Sequence, residues 1–409
     1  MKIPFSPPYV DDDVLNEVQD TLKSGWITTG PKVKALEIET AQLASVSYAL
    51  CVNSATSGLM LAMRWFGIGP GDEVIVPAYT YCATALAVIH LGATPIMVDI
   101  QDDFTLDVKD VEKKISSKTK AIIPVDIAGW PADYDALNQL VKREDILAMF
   151  DAQNDIQRVL GRLLILSDAA HSLGAIYKGL PTGRLADLTV FSFHAVKNIT
   201  TAEGGCIAIN LPNNFDHLDV YSVMRLMTLN GQTKDAFTKT KNGGWKYDII
   251  LAGFKMNMPD VCAAIGLAQI RKYNSIILPQ RKKVANFYTQ LFSKYNWAKL
   301  PMLLTNGIES SYHIFPLRII GINENIRDAI IEDISRKGVA VNVHFIPMPM
   351  LTLFKSMSYD INDYPISYLN YSCEISLPIY PQLTIKQVEF IVNSIVESYE
   401  KIRKLEIKI

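Results

Sequence analysis

The chain has 409 residues, room for two domains at roughly 100–200 residues each, and 49% of them are apolar against 20% charged, so a large core is available. Lys plus Arg number 40 and Asp plus Glu 42, and the net charge of −2 offers no basic excess for nucleic acid or an anionic membrane. Five cysteines, at 51, 82, 206, 262 and 373, lack C-x-x-C spacing, which excludes a zinc ribbon or disulfide framework and fits a reducing compartment.

In chain order, the opening MKIPFSPPYVDDD has no secretory apolar core, and no run of 18 apolar residues follows, so the expectation is a soluble, cytoplasmic protein. Strand-like runs at Tyr48–Val52, Glu73–Val76, Pro95–Asp99 and Lys120–Val125 alternate with helix patterns at Ser54–Phe66, Thr80–Leu91, Leu106–Ile115 and Ala132–Val141. Three more strands are expected at Leu163–Ser167, Leu188–Phe191 and Cys206–Ile209. The runs are short, β-branched and apolar throughout, as in strands covered on both faces by crossover helices, which predicts a largely parallel α/β sheet. After about residue 260 the pattern changes. Helices at Pro259–Tyr273 and Pro279–Tyr295 lead to an edge-like strand at Ile314–Ile320, a helix at Glu324–Lys337, a strand at Ala340–Phe345 and a last helix at Thr384–Lys404. The expected division is a large domain at 1–275 and a smaller α+β domain at 276–409. Residues 142–162 and 231–248 read as irregular excursions.

Three stretches carry residues suited to chemistry. Phe191–Gly205 (FSFHAVKNITTAEGG) runs from a strand end into a turn holding Ser192, His194 and Lys197. Loops at the C-terminal ends of parallel strands form the usual ligand crevice, where a desolvated lysine becomes a nucleophile; a lysine on a solvated loop is the plainer alternative. Leu163–His171 (LLILSDAAH) delivers Asp168 to a strand end, with His171 three residues on. A carboxylate there serves either to hold a protonated ring nitrogen or to cap the next turn. Asn53–Gly58 (NSATSG) sets Thr56 and Ser57 at a helix N-terminus, suited to phosphate or to simple capping. GIGPG at 67–71 precedes a strand and is no dinucleotide fingerprint, and no P-loop or H-E-x-x-H occurs. His313 and His344 lie at or beside strands of the second half, and Lys234, Lys239, Lys241 and Lys246 read as a solvated face or as contacts to a diphosphate.

Together, a phosphate-type turn, a strand-end Asp and a nearby Lys are the set that pyridoxal phosphate requires. The chain resembles the sugar aminotransferases of the DegT/StrS type. The resemblance starts at SGWITTGP (24–31), passes through SATSG, GDEVIVP, DAAH and FSFHAVKNITTAEGG, and extends to MNMPD (256–260), YHIF and VHF. It implies the aspartate-aminotransferase fold (fold type I), a mostly parallel mixed sheet with a smaller C-terminal α+β domain. It implies pyridoxal 5'-phosphate as cofactor and no metal. Lys197 and Asp168 would be catalytic, Lys197 joining the cofactor and moving protons, Asp168 pairing with the ring nitrogen. Tyr81 would cover the ring, and His171 would lie near its hydroxyl. Thr56, Ser57 and Ser192 would hold the phosphate. Asn257 would reach the phosphate of a neighbouring subunit, making a homodimer with shared active sites. His194, His313 and His344 would line a sugar-nucleotide cleft.

The activity so implied is transfer of an amino group from L-glutamate to a nucleotide-linked 4-keto or 3-keto hexose for surface polysaccharide or glycan synthesis. One alternative is a regulatory or scaffold protein that binds the cofactor without turnover. Another is a dehydratase. Related proteins with that chemistry have His in place of the Lys, so Lys197 argues against it. Pro349 and the long 142–162 segment depart from the family pattern.

Overall fold

The computed structural model describes residues 1–233 and 246–406. Lys234, Lys239 and Lys241 lie outside the described residues. The large sheet has seven strands, in the spatial order Tyr48–Val52, Gly205–Ile209, Leu188–Ser192, Leu164–Asp168, Thr119–Ile122, Glu73–Pro77, Thr94–Val98. The five from Leu188–Ser192 to Thr94–Val98 are parallel, Gly205–Ile209 runs against them, and Tyr48–Val52, antiparallel to it, runs with the five again, so the sheet is mixed with a parallel majority. Its two-sided burial is visible within one strand. Leu50 and Val52 pack with the helix Ala55–Trp65, whereas Ala49 and Cys51 pack on the opposite face with Pro31–Ala44 and Asp260–Ile270. Period-two side-chain alternation with both faces apolar gives the unbroken apolar runs of the sequence.

A second, three-stranded antiparallel sheet, Ala298–Lys299, Phe315–Ile319 and Glu374–Leu377, packs with the helices Leu278–Phe292, Glu324–Arg336 and Ile385–Glu406 around its own core. A π-helical turn at Tyr273–Ile277 leads into the first of these helices. Ile3 is buried in this second core and bridges to Val339, so the chain's first residues pack with its last third.

Four readings need correction. Phe315–Ile319 is the central strand of its sheet, not an edge, because the unpredicted strand Glu374–Leu377 pairs along it. Ala340–Phe345 forms no regular strand: its ladder is the single bridge Asn342–Ser376, and the next N–H groups donate to side chains, Val343 to Asn342 Oδ1 and His344 to Glu374 Oε2. Residues 142–162 hold two short helices, Glu144–Met149 and Asp155–Leu160. The second is capped by Asn154 and anchored where Asn154 and Gln157 donate to the Phe66 carbonyl at 3.1 and 3.0 Å. Unpredicted helices occupy Asp12–Lys23 and Pro31–Ala44. Among the described residues no helix is long and apolar enough to cross a membrane.

Candidate active site

The C-terminal ends of Leu164–Asp168 and Leu188–Ser192, the start of the helix Ala55–Trp65 and the second domain's residues 313–345 enclose a cleft of about 560 Å³. Thr56, Tyr81, Asp168, His171, Ser192, His194, Lys197, His313 and His344 all line it. Ser57 sits just behind: its N–H donates to Ser54 Oγ at 3.1 Å and its hydroxyl meets the same oxygen at 2.9 Å. Asn257 is not among the lining residues; its amide donates to Thr29 Oγ1 at 2.6 Å and its backbone bridges to Val52.

Asp168 ends a fully buried strand. Thr84 Oγ1 donates to its Oδ2 at 2.8 Å and the Ala170 N–H to its Oδ1 at 3.2 Å. Burial still raises its pKa, against the pull of these bonds and of Lys197, so the carboxylate is under-compensated and suited to a further cationic or N–H partner on the cleft side. Lys197 closes the turn that begins at His194, its N–H donating to the His194 carbonyl at 2.9 Å. Desolvation lowers its pKa to about 8, with Asp168 opposing the shift. A fair fraction of that amine is neutral near neutral pH, unlike an ordinary surface lysine.

The phosphate-type corner is built by close approach. A Cβ on Gly205 would meet the Ala55 nitrogen at 2.7 Å, so only glycine lets the strand Gly205–Ile209 pass this close to the helix N-terminus. Ser54 caps that helix, whose remaining first-turn N–H groups have no intrahelical acceptor. Ser54, Thr56 and Ser192 stand around it on the cleft wall. An anion corner, a carboxylate needing an N–H partner and a neutralisable amine on one wall fit pyridoxal phosphate by the chemistry of the donors.

The opposite wall is aromatic. The rings of His171 and His313 lie 4.3 Å apart, and Phe345 stands 5.9 Å from His171 and 5.7 Å from Tyr81. Burial, aided by Lys197, holds His171 and His313 well below the usual histidine range and His344 down to about 3, so all three are neutral. His344 Nδ1 meets Ser376 Oγ at 2.9 Å, and Ser376 donates on to Glu374. His194 is more exposed and stands 3.6 Å from Glu203.

Sequence reasoning missed Thr84, Asn198 and Phe345. Thr84 carried a signal, a polar residue inside the apolar helix Ala83–His90. Asn198 stood beside Lys197 in the motif, but its partners Tyr273, Ser311 and His313 are 75 to 115 residues away.

Residues 8–159 and 160–396 match the DegT/DnrJ/EryC1/StrS aminotransferase family. A Streptococcus pneumoniae protein described as a sugar aminotransferase, solved in apo, PLP and PMP forms, is 41–42% identical; its TM-scores are 0.93–0.95, over 98–99% of this chain and all of that one. The spore coat polysaccharide biosynthesis protein SpsC of Bacillus subtilis is 33% identical over 401 residues, 96% of each chain. PseC of Helicobacter pylori, an aminotransferase of pseudoaminic acid biosynthesis, is 27% identical with a TM-score of 0.85, covering 98% of this chain and all of that one.

Proposed function

The chain belongs to the DegT/DnrJ/EryC1/StrS aminotransferase family, and from that premise we propose that it transfers an amino group from L-glutamate to a nucleotide-linked 4-keto or 3-keto hexose in glycan synthesis, using pyridoxal phosphate. Its fold is the α/β fold of type I aminotransferases, a mixed sheet with a smaller C-terminal domain. The observation that carries the proposal is the convergence of Asp168 and Lys197, from two strand ends, on one cleft wall beside the anion corner at Ser54–Thr56.

Bound there, pyridoxal phosphate supplies an aldehyde for the amine and a ring that holds the electron pair left on carbon. Asp168 would keep the ring nitrogen protonated, and Thr84 and the Ala170 N–H hold that carboxylate in place. Lys197 would provide the amine that holds the cofactor and would accept and return a proton at its Nζ, a task suited to a pKa near 8. Ser192, Thr56, Ser57 and the helix N-terminus hold the phosphate. Tyr81, His171, His194, His313 and His344 line the space for the ring and sugar, while Phe345 narrows it and excludes water.

The assembly is read as a homodimer with shared sites. That Asn257 stands outside its own chain's cleft supports a role in the partner's. The domain division is kept near residue 275, supported by the π turn there, although Met348, Phe354 and Tyr364 return to the core of the large sheet and Ile3 joins the second core. The resemblance within the family to the enzyme making UDP-4-amino-4-deoxy-L-arabinose adds one acceptor to try beside the keto hexoses, the matching 4-keto pentose.

The test is the absorbance spectrum of the protein with pyridoxal phosphate, before and after L-glutamate. A visible band that glutamate converts to the pyridoxamine form is expected. A band indifferent to glutamate points to another donor or to the non-catalytic alternative, and no band overturns the cofactor assignment.

A further inference from the structure

We propose that Asn198 is a positioning residue that fixes His313 in the tautomer opposite to that of its neighbour His171, so that His313 turns a bare Nε2 lone pair toward the acceptor sugar and selects a hydroxyl donor over a carboxylate there. The choice of substrate group rests on the functional reading above; the tautomers do not.

The tautomers follow from bonds whose direction is fixed by backbone atoms. The Asn198 side chain is buried and meets three groups. One is the Ser311 carbonyl at 2.8 Å, which can only accept, so the amide nitrogen faces it. The same nitrogen reaches the Tyr273 hydroxyl at 3.0 Å, and that hydroxyl gives its own hydrogen to the Leu173 carbonyl. Both amide hydrogens are therefore used, and Asn198 Oδ1 is an acceptor. It lies 2.9 Å from His313 Nδ1, so Nδ1 carries the hydrogen and Nε2 of the neutral ring is bare.

His171 is set the other way. The Ala128 backbone N–H donates to its Nδ1 at 3.2 Å, so Nδ1 is bare and the neutral ring carries its hydrogen on Nε2. Each ring thus spends Nδ1 on the protein. Among the described residues neither Nε2 has a hydrogen-bond partner, and neither is a fully enclosed orphan, so both open to the cleft they line. Burial keeps both rings neutral, and the positive groups around them, Lys197 for both and Arg281 for His313, act in the same direction.

The tilted pair therefore presents one donor and one acceptor side by side. An anionic or carbonyl oxygen is matched at His171. At His313 the matched group brings a hydrogen of its own, as a sugar hydroxyl does; a carboxylate would meet a lone pair and forfeit the bond. Asn198 is next to Lys197, Tyr273 begins the π turn between the two cores, and His313 belongs to the second domain, so the same network ties the position of that domain to the lysine turn.

The test is long-range 15N–1H NMR of protein labelled at its six histidines, without cofactor or substrate, with His171→Gln and His313→Gln used to assign the signals. His313 is expected to show a protonated Nδ1 and a bare Nε2, and His171 the reverse. A protonated Nε2 on His313, or a doubly protonated ring at neutral pH, overturns the proposal even in an active enzyme. Asn198→Asp places a carboxylate against Nδ1 and should convert His313 to the imidazolium in the same spectrum, raising KM for the ketosugar about tenfold with a much smaller change in KM for glutamate. An imidazolium with unchanged ketosugar KM sinks the selectivity claim. If the variant does not fold, the wild-type spectrum decides the tautomer and His313→Gln, read by the same KM comparison, decides selectivity. If no ketosugar is turned over by the wild type, it is the functional reading that fails, and the spectrum still judges the tautomers.

Discussion

The two walls of the cleft are held in different ways. On the wall of the large sheet, the side chains sit at strand ends and several of their bonds span two or three residues: Ser57 to Ser54, Ala170 to Asp168, His194 to Ser192. On the facing wall His344 and Phe345 lie on irregular backbone, and the anchors are remote. His313 is fixed by Asn198, His344 by Ser376, and the His344 carbonyl by the Tyr79 hydroxyl, 265 residues away in sequence. The groups assigned to the chemistry are thus placed largely by local strand-and-turn geometry, with Thr84 as the remote bond on Asp168, and those assigned to recognition by anchors distant in sequence.

The largest effect expected from breaking this contrast is on the first wall. Lys197→Ala should reduce transamination by about 10³-fold or more, measured as glutamate-dependent amination of the ketosugar. Its fold should not suffer, because the amine has no hydrogen-bond partner among the described residues and burial has lowered its pKa from 10.5 to about 8. Between these values the unfolded chain holds a proton that the folded chain has released, so this amine makes stability rise with pH across that window and costs stability below it. The difference in urea midpoint between wild type and variant should follow that slope from pH 8 to 10.

A pair of neighbouring aspartates sharpens the point. Asp168 and Asp126 are both buried, and the Asp126 N–H donates to the Asp168 carbonyl. Asp126 spends its oxygens inward, accepting from Ser172, Tyr134 and the Ala132 N–H at 2.6, 2.9 and 3.0 Å. Asp168 keeps a side toward the cleft. Asp168→Asn should cost about 10²-fold or more in activity while stabilising the fold near neutral pH, since burial raises this carboxyl's pKa and the ionised form is the disfavoured one. Asp126→Ala should do the reverse, leaving activity within about tenfold and removing about 1–3 kcal/mol of stability as three donors lose their acceptor. Urea melts and initial rates on the two variants make the comparison; equal losses in both quantities would erase the distinction between the aspartates.

The same contrast explains what the sequence revealed. The strands Glu73–Pro77, Leu164–Asp168 and Leu188–Ser192 were legible because burial on both faces leaves unbroken apolar runs, and Asp168 and Lys197 stood at their ends. The strand Glu374–Leu377 was missed because it reads E-I-S-L: Glu374 and Ser376 are fully buried, and their partners, His344 among them, come from about 30 residues earlier. Ala340–Phe345 has the alternation of a strand, yet side-chain acceptors at Asn342 and Glu374 take the N–H groups that a neighbouring strand would have used. Local pattern reports local bonds, and this wall has few.

The smallest effect should come from loosening one remote anchor. Ser376 is fully buried, bonds His344 Nδ1 and donates to Glu374, whose carboxyl burial pushes up to about 8. Ser376→Ala removes both bonds without touching the large sheet. The His344 ring keeps its place between Phe5 and Phe345, whose centroids lie 5.4 and 4.9 Å away, so the ring stays in the cleft but loses its preferred orientation. One neutral hydrogen bond is worth about 1 kcal/mol, which corresponds to a rise of roughly fivefold in KM for the ketosugar. The kcat should hold, because none of the bonds that hold Asp168, from Thr84 and the Ala170 N–H, involves Ser376 or His344. A fall in kcat with unchanged KM would mean that His344 belongs with the chemistry of the first wall and that the division between the walls is drawn in the wrong place.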